Sequence, residues 1–224
     1  MAKIVSETEL DALYDTPVPT SILKEVDHIT DDYRKLIEAS PFAILATSGP
    51  EGLDCSPRGD PRGFARVADP KTLMVPDRRG NNRIDSLRNI IRDGRVALLF
   101  LIPGIGTSMR VNGRAHLSTD PELCSSFSME GKIPKCVIVI TVERAYTQCQ
   151  KAIVRSKLWD SEMHMAKSQL PTVGEMMERL SNGEFDGKAY DAEYPERMKR
   201  TIYCADLPFG NISATHRRHE HTRP

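Results

Sequence analysis

The 224-residue chain carries no net charge, its 31 Lys and Arg residues matching 31 Asp and Glu. Whole-molecule attraction to nucleic acid or to an anionic bilayer is therefore not expected. No apolar run reaches the roughly 18 residues needed to span a membrane. The N-terminus, MetAlaLysIleValSerGluThrGlu, lacks the apolar core of a signal peptide. Cysteine is sparse. Cys55, Cys124, Cys136, Cys149 and Cys204 form no Cys-x-x-Cys pair, and an odd, dispersed set suits a reducing cytoplasm better than a disulfide framework. The histidines do not fall beside cysteines at zinc-finger spacing, so no metal site is expected. Neither a Gly-Lys-Ser/Thr P-loop nor a Gly-x-Gly-x-x-Gly fingerprint is present. There is no internal repeat.

What is present is an ordinary globular composition, 39% hydrophobic and 28% charged, long enough for one sizeable core with appended helices. Residues 1–40 hold four bases against nine acids, and residues 41–100 hold ten bases against seven acids. The positive excess thus lies on the presumed core, which suits a local anionic ligand.

Residues 6–39 read as helical. Ser6 with Glu9 forms a capping-box pattern, and a second helix starts near Thr30 with Tyr33, Leu36 and Ile37 as its stripe. From Phe42 the pattern becomes strand-like. PheAlaIleLeuAlaThr ends in the turn SerGlyProGluGly, and Leu53–Pro57 can pair back as a hairpin. SerProArgGlyAspProArgGlyPhe is too rich in Gly and Pro for a regular strand interior. Phe64–Val67 and Thr72–Val75 read as a second hairpin. ArgValAlaLeuLeuPheLeuIle (95–102), the cleanly alternating Ser108–Leu117 and Lys135–Ala145 supply further strands. Pro121–Met129 reads as a short helix. Met163–Leu170 and Thr172–Leu180 also read as helical. The count is about six strands with one inserted helix, joined mainly by tight turns, which favours an antiparallel barrel over a doubly wound sheet.

That inserted helix follows ProAspArgArgGlyAsnAsnArgIleAspSerLeuArgAsnIle (76–90). Ile84, Leu87, Ile90 and Ile91 make its apolar stripe, so it is expected to begin near Arg83, capped by Asn82 with Asp85 closing the pair. Arg78, Arg79 and Arg83 crowd this helix start. Cations there oppose the macrodipole, an arrangement that makes sense if a phosphate sits among them. The plain alternative is a solvated basic turn.

PheAlaIleLeuAlaThr, SerProArgGlyAsp, the 76–90 stretch and ArgValAsnGlyArgAla, in that order, resemble the pyridoxamine 5′-phosphate oxidase-like superfamily of FMN-binding split barrels. Within it, the chain is similar to a bacterial subgroup of flavoproteins carrying the SerProArgGlyAsp and GlyAsnAsnArg signatures. The resemblance covers roughly residues 20–165. It implies a six-stranded antiparallel split β-barrel, mainly β with flanking helices, that forms a homodimer with two FMN sites at its interface. With the helical patterns on either side, the expected organisation is a helical extension over 1–40, a barrel domain over 41–165, C-terminal helices over 166–203 and a mobile tail over 204–224. The FMN phosphate would meet Asn81, Asn82 and Arg83, with Arg78 and Ser86 nearby and Arg58 reaching in from the preceding hairpin. Val75 to Asp77 would offer backbone to the flavin ring. The second subunit would bring Gln148, Lys151, Arg155, Ser156 and Trp159, with Lys151 or Arg155 as a cation beside the ring.

An FMN-dependent oxidoreductase, cytoplasmic and dimeric, follows as the expectation. It would use a small-molecule substrate or a reduced nicotinamide, with no nucleic-acid or membrane partner. The alternative is a non-catalytic flavin-binding or sensor protein. No side chain stands out as a general acid or base. The terminal Arg-Leu-x-Pro segment of authentic pyridoxamine phosphate oxidases is missing, which argues against that substrate. Related barrels hold a deazaflavin or haem, and His116 is the one barrel-strand histidine that haem could use. Cys149 reads as a small buried residue rather than a redox nucleophile. Nine arginines lie between positions 58 and 95, but Phe64 is the only aromatic among them, so a stacking platform for single strands is lacking.

Overall fold

The computed structural model describes residues 3–202. The expected tail over 204–224, with Cys204, lies outside them. The chain divides into two compact units. One comprises the residues up to Ser128 with Ile133–Met163; the other comprises Met129–Lys132 with the residues from His164 on.

The first unit holds a seven-stranded antiparallel sheet. Its strands are β1 Phe42–Gly49, β2 Gly52–Gly59, β3 Arg66–Asp69, β4 Thr72–Pro76, β5 Arg95–Leu101, β6 Ser108–Ser118 and β7 Val137–Gln148. Their spatial order is β2-β1-β5-β6-β7-β4-β3. Seven strands in an open sheet replace the expected six-stranded barrel. β2, expected to end at Pro57 before an irregular stretch, runs straight through SerProArgGly and pairs Pro57 with Ile44 and Gly59 with Phe42. β2 is an edge strand with β1 as its sole neighbour, and an edge tolerates a proline that a central strand would reject. β3 starts two residues later than expected, and β7 runs on to Gln148.

Period-two alternation sorts the side chains. Ala43, Leu45, Val96, Leu98, Phe100, Met109, Val111, Ile138 and Ile140 point into one buried core. Each large apolar side chain there stabilises the fold by about 1.5–3 kcal/mol. Gly113 marks a register shift between β6 and β7, where a Cβ would stand 2.1 Å from the Thr141 carbonyl oxygen. No larger residue fits that approach of two backbones.

Helix α4, Asp85–Arg92, lies against β1, β2 and β6. It buries Ser86, Leu87 and Ile90. Ile84 and Ile91, expected on the same stripe, are exposed: at 100° per residue Ile91 turns off the face that Leu87 and Ile90 share. Asn89 Nδ2 donates to the buried Thr47 hydroxyl on β1 at 3.1 Å. Asp93 and Gly94 (φ 78°) end the helix as expected.

The N-terminal region is helical only in pieces, α1 Glu7–Asp11, α2 Pro19–Leu23 and α3 Asp31–Ala39. Ser6 and Thr30 cap α1 and α3 as read. Val26 pairs with Ala145 of β7, and Arg34 donates to the Val67 carbonyl at 2.6 Å, which ties α3 to the sheet. Two further helices complete this unit, α5 Pro121–Ser126 and α6 Lys151–Ser156.

In the second unit, α7 Val173–Leu180 begins at a Thr172–Glu175 capping box, and α8 spans Gly187–Thr201. Gly174 and Gly187 let the two backbones meet. Thr172 donates to Asp191, which also accepts from the Gly174 N–H. Met163–Leu170, expected as a helix, forms only the 3-10 turns Ser161–Met163 and Lys167–Gln169.

Candidate functional site

The loop from Asp77 to Ile84 joins β4 to α4, and its construction differs from the sequence expectation. α4 begins at Asp85, not near Arg83, and Asn82 does not cap it. Asn81 Oδ1 instead accepts from the Arg83 N–H at 3.0 Å, and Arg83 Nε donates to Asp85 Oδ2 at 2.8 Å. Asp85 is thereby engaged by a side chain and closes no capping box. Asn82 (φ 61°) and Ile84 (φ 52°) are both left-handed. Asn adopts that region readily, whereas a β-branched residue there is strained by about 1–2 kcal/mol. Ile84→Asn should therefore raise stability by about 1 kcal/mol, read as a shift in the urea midpoint at unchanged slope.

The expected phosphate ligands fall into distinct surroundings. Asn81, Asn82 and Arg83 are exposed. The Arg83 side chain is 77% exposed, and an ion pair so open to solvent is worth only about 0–1 kcal/mol. An incoming dianion can redirect it. Arg78 is held differently. Its Nε pairs with Asp60 Oδ2 at 2.5 Å and its Nη1 donates to the Phe127 carbonyl at 2.7 Å, with side-chain exposures of 14% for Arg78 and 6% for Asp60. This pair ties the residue after β2, at one edge of the sheet, to the residues after β4, near the other edge. Ser86 is buried as well. Its hydroxyl donates to Asp54 Oδ2 at 2.6 Å, and Ser56 Oγ lies 2.9 Å from it. Arg78 and Ser86 thus face the protein's own groups.

Arg58 sits on the inner face of β2 with Asp54 and Ser56, while Cys55 and Pro57 face outward and are exposed. Its Nε is buried and has no hydrogen-bond partner among the described residues. Val75 is buried at the end of β4, and the Asp77 N–H donates to the Cys136 carbonyl at 3.0 Å. Burial raises the Asp77 carboxyl above its ordinary value, against the opposing pull of Arg58 and Lys135. Burial also pushes the adjacent Cys136 thiol up to about 11, with Asp77 and Cys124 adding to the effect. A carboxylate whose folded pKa is raised costs stability once ionised. The cost is absent below its unfolded pKa and full above the folded one. Asp77→Asn is therefore expected to be more stable than the parent at pH 7. That gain should vanish as the pH falls below the ordinary carboxylate range, as seen in denaturant melts across pH.

The residues expected from a second subunit gather after β7. Gln148 ends the strand opposite Ser108. Lys151, Arg155 and Ser156 lie exposed on α6, and Ser156 donates to the Ile153 carbonyl. Trp159 is half-buried and donates its indole N–H to the Ile105 carbonyl at 2.9 Å. Cys149, read as buried, is exposed, because β7 ends one residue before it. His116 is exposed on β6. Among the described residues no cluster of three or more metal-binding side chains exists, and no helix is long and apolar enough to cross a membrane.

No curated protein matches the chain. HupZ of Group A Streptococcus is 24% identical, over 54% of this chain and 94% of that one, with a TM-score of 0.43. General stress protein 26 of Bacillus anthracis is 17% identical, over 50% and 88%, with a TM-score of 0.39. An FMN-binding protein of Syntrophomonas wolfei is 12% identical, over 51% and 82%, with a TM-score of 0.40. The family model described as pyridoxamine 5′-phosphate oxidase matches residues 29–149, from just before α3 to just past β7. With more than half its length matched, and with the open antiparallel sheet and its β4–α4 loop inside the match, the chain belongs to the pyridoxamine 5′-phosphate oxidase family.

Proposed function

We propose that the protein is an FMN-dependent oxidoreductase that works in the cytoplasm as a homodimer. The observation that carries this reading is the exposed, donor-rich Gly80–Arg83 loop at the handover from β4 to α4, inside the matched family region. The donor set fits FMN. Arg83 is tied only by a weak, exposed pair, and a buried Arg58 nitrogen lacks an acceptor. Asn81, Asn82 and Arg83 would hold the phosphate, and the backbone of Val75 to Asp77 would lie along the flavin ring. Bound there, FMN supplies hydride acceptance and donation. The protein's own part is to fix the phosphate, orient the ring and exclude water around it.

A second copy completes the site in this reading. On the outer face of β2, β1 and β5, Leu53, Phe42, Ile44, Leu99 and Leu101 are exposed or half-buried apolar residues in one continuous register. In this reading Gln148, Lys151, Arg155, Ser156 and Trp159 of one copy serve the loop of the other. The substrate class is a small organic molecule or a reduced nicotinamide, with no nucleic-acid or membrane partner.

Mass spectrometry of the small molecule that co-purifies tests the cofactor, with FMN expected. Sedimentation tests the dimer. Stopped-flow reduction by NADH and NADPH tests turnover: prompt bleaching of the flavin supports the oxidoreductase. A flavin that binds yet stays oxidised with every donor would leave a binding or sensor protein instead.

A further inference from the structure

We propose that residues 4–23 form an acidic, apolar arm that docks on the outer sheet face of a second copy of this chain. The assignment rests on the homodimer reading above, not on the cofactor.

The arm holds α1 and α2, and neither helix buries a residue. Leu10, Leu13, Tyr14, Val18, Ile22 and Leu23 are all exposed. Single helical turns of this length do not hold themselves together in water. Apolar groups so closely spaced on a surface mark a place where something else packs. The arm also carries one sign of charge. Glu7, Glu9, Asp11 and Asp15 lie on it, and residues 4–23 contain no Lys or Arg. Such a segment is repelled by nucleic acid and by anionic lipid, and it selects a protein surface that is both apolar and basic.

The outer sheet face is such a surface. Ile44, Leu99, Arg110 and Tyr146 stand side by side across β1, β5, β6 and β7. Its apolar half therefore passes directly into a basic half, where Arg95, Arg110, Arg114 and Arg144 are exposed or half-buried. Acids near them are few. Asp93 holds Arg95 at 2.6 Å, but Glu143 stands 3.7 Å from Arg114 and Glu25 stands 3.8 Å from Arg144. The root of the arm adjoins this basic half: Val26 pairs with Ala145, and Glu25 meets Arg144. The arm does not seat on its own sheet, since its apolar residues stay exposed. A copy resting on the apolar half, as the dimer reading has it, is the next surface within reach of that root. Arms exchanged in this way add apolar burial and opposite charge at the margin of the interface.

The test is sedimentation of full-length chains over a dilution series. Leu13→Asp/Ile22→Asp should weaken the dimer about a hundredfold, because both side chains lose their apolar seat. Both positions are exposed in the single chain, so its denaturant midpoint at high dilution should match the parent's. Two charge reversals then separate docking across copies from folding back. Asp11→Lys/Asp15→Lys reverses the arm, and Arg110→Glu/Arg114→Glu reverses the face. Each alone should weaken the dimer about tenfold at low salt. Mixed together, the two chains should form a mixed dimer tighter than either alone, since each arm then meets a face of opposite sign. Arm variants that dimerise as the parent does would overturn the arm and leave the dimer reading standing. No gain on mixing would also overturn it, because an arm acting on its own chain is blind to the partner. A parent that stays monomeric at every concentration would sink the dimer reading and this assignment together.

Discussion

Asp60→Ala is expected to cost about 3–5 kcal/mol of stability. The substitution removes the carboxylate from a pair whose Arg78 side chain is 14% exposed and whose Asp60 side chain is 6% exposed. Breaking a buried pair from one side is among the most destabilising changes a single substitution makes. The loss should appear as a large drop in the denaturant midpoint. The double variant Asp60→Ala/Arg78→Met should recover much of it, because both members of the buried pair are then replaced by apolar groups. A single variant within about 1 kcal/mol of the parent would show that water reaches the pair freely.

Arg83→Ala is expected to weaken FMN binding about ten- to hundredfold, the loss of a charge-assisted contact to phosphate. Stability should barely move, since the side chain is 77% exposed and its bond to Asp85 is solvent-screened. That combination separates a ligand contact from a structural one. Riboflavin, which lacks the phosphate, serves as the control and should bind both proteins alike. Equal FMN affinity in parent and variant would remove the phosphate from this loop.

The two variants bracket what the sequence alone conveys. Arg78 and Arg83 are five positions apart in one basic turn, and as text they are equivalent. Folding sends one to Asp60 and leaves the other in solvent, and that sorting depends on a partner 18 residues upstream. Local signals fared better where local physics decides. The alternation of Ser108–Leu117, the caps at Ser6 and Thr30 and the Asp93–Gly94 stop all depend on neighbours within a few residues. SerProArgGly was misread as irregular because its tolerance for proline comes from lying at an edge, which is a property of sheet order. The start of α4 was misplaced for a related reason. Arg83 claims the carboxylate that would have closed the cap, and two left-handed residues intervene. The position of the candidate loop was legible; the burial of the Arg58 Nε on β2 was not.

The sheet order also dictates how the polypeptide can assemble as it is synthesised. β4 takes its place beside β7, not beside the next strand in the chain, and Leu73 meets Ile140, 67 positions further along the chain. A two-stranded hairpin on its own is marginal in water. The β3–β4 hairpin must therefore wait on the ribosome, unsupported, until Val137–Gln148 has emerged. β1, β2, β5 and β6 can already form a four-stranded template by then. Chaperone demand should accordingly peak while α5 is being translated, and a nascent chain halted there should be the species most prone to aggregate.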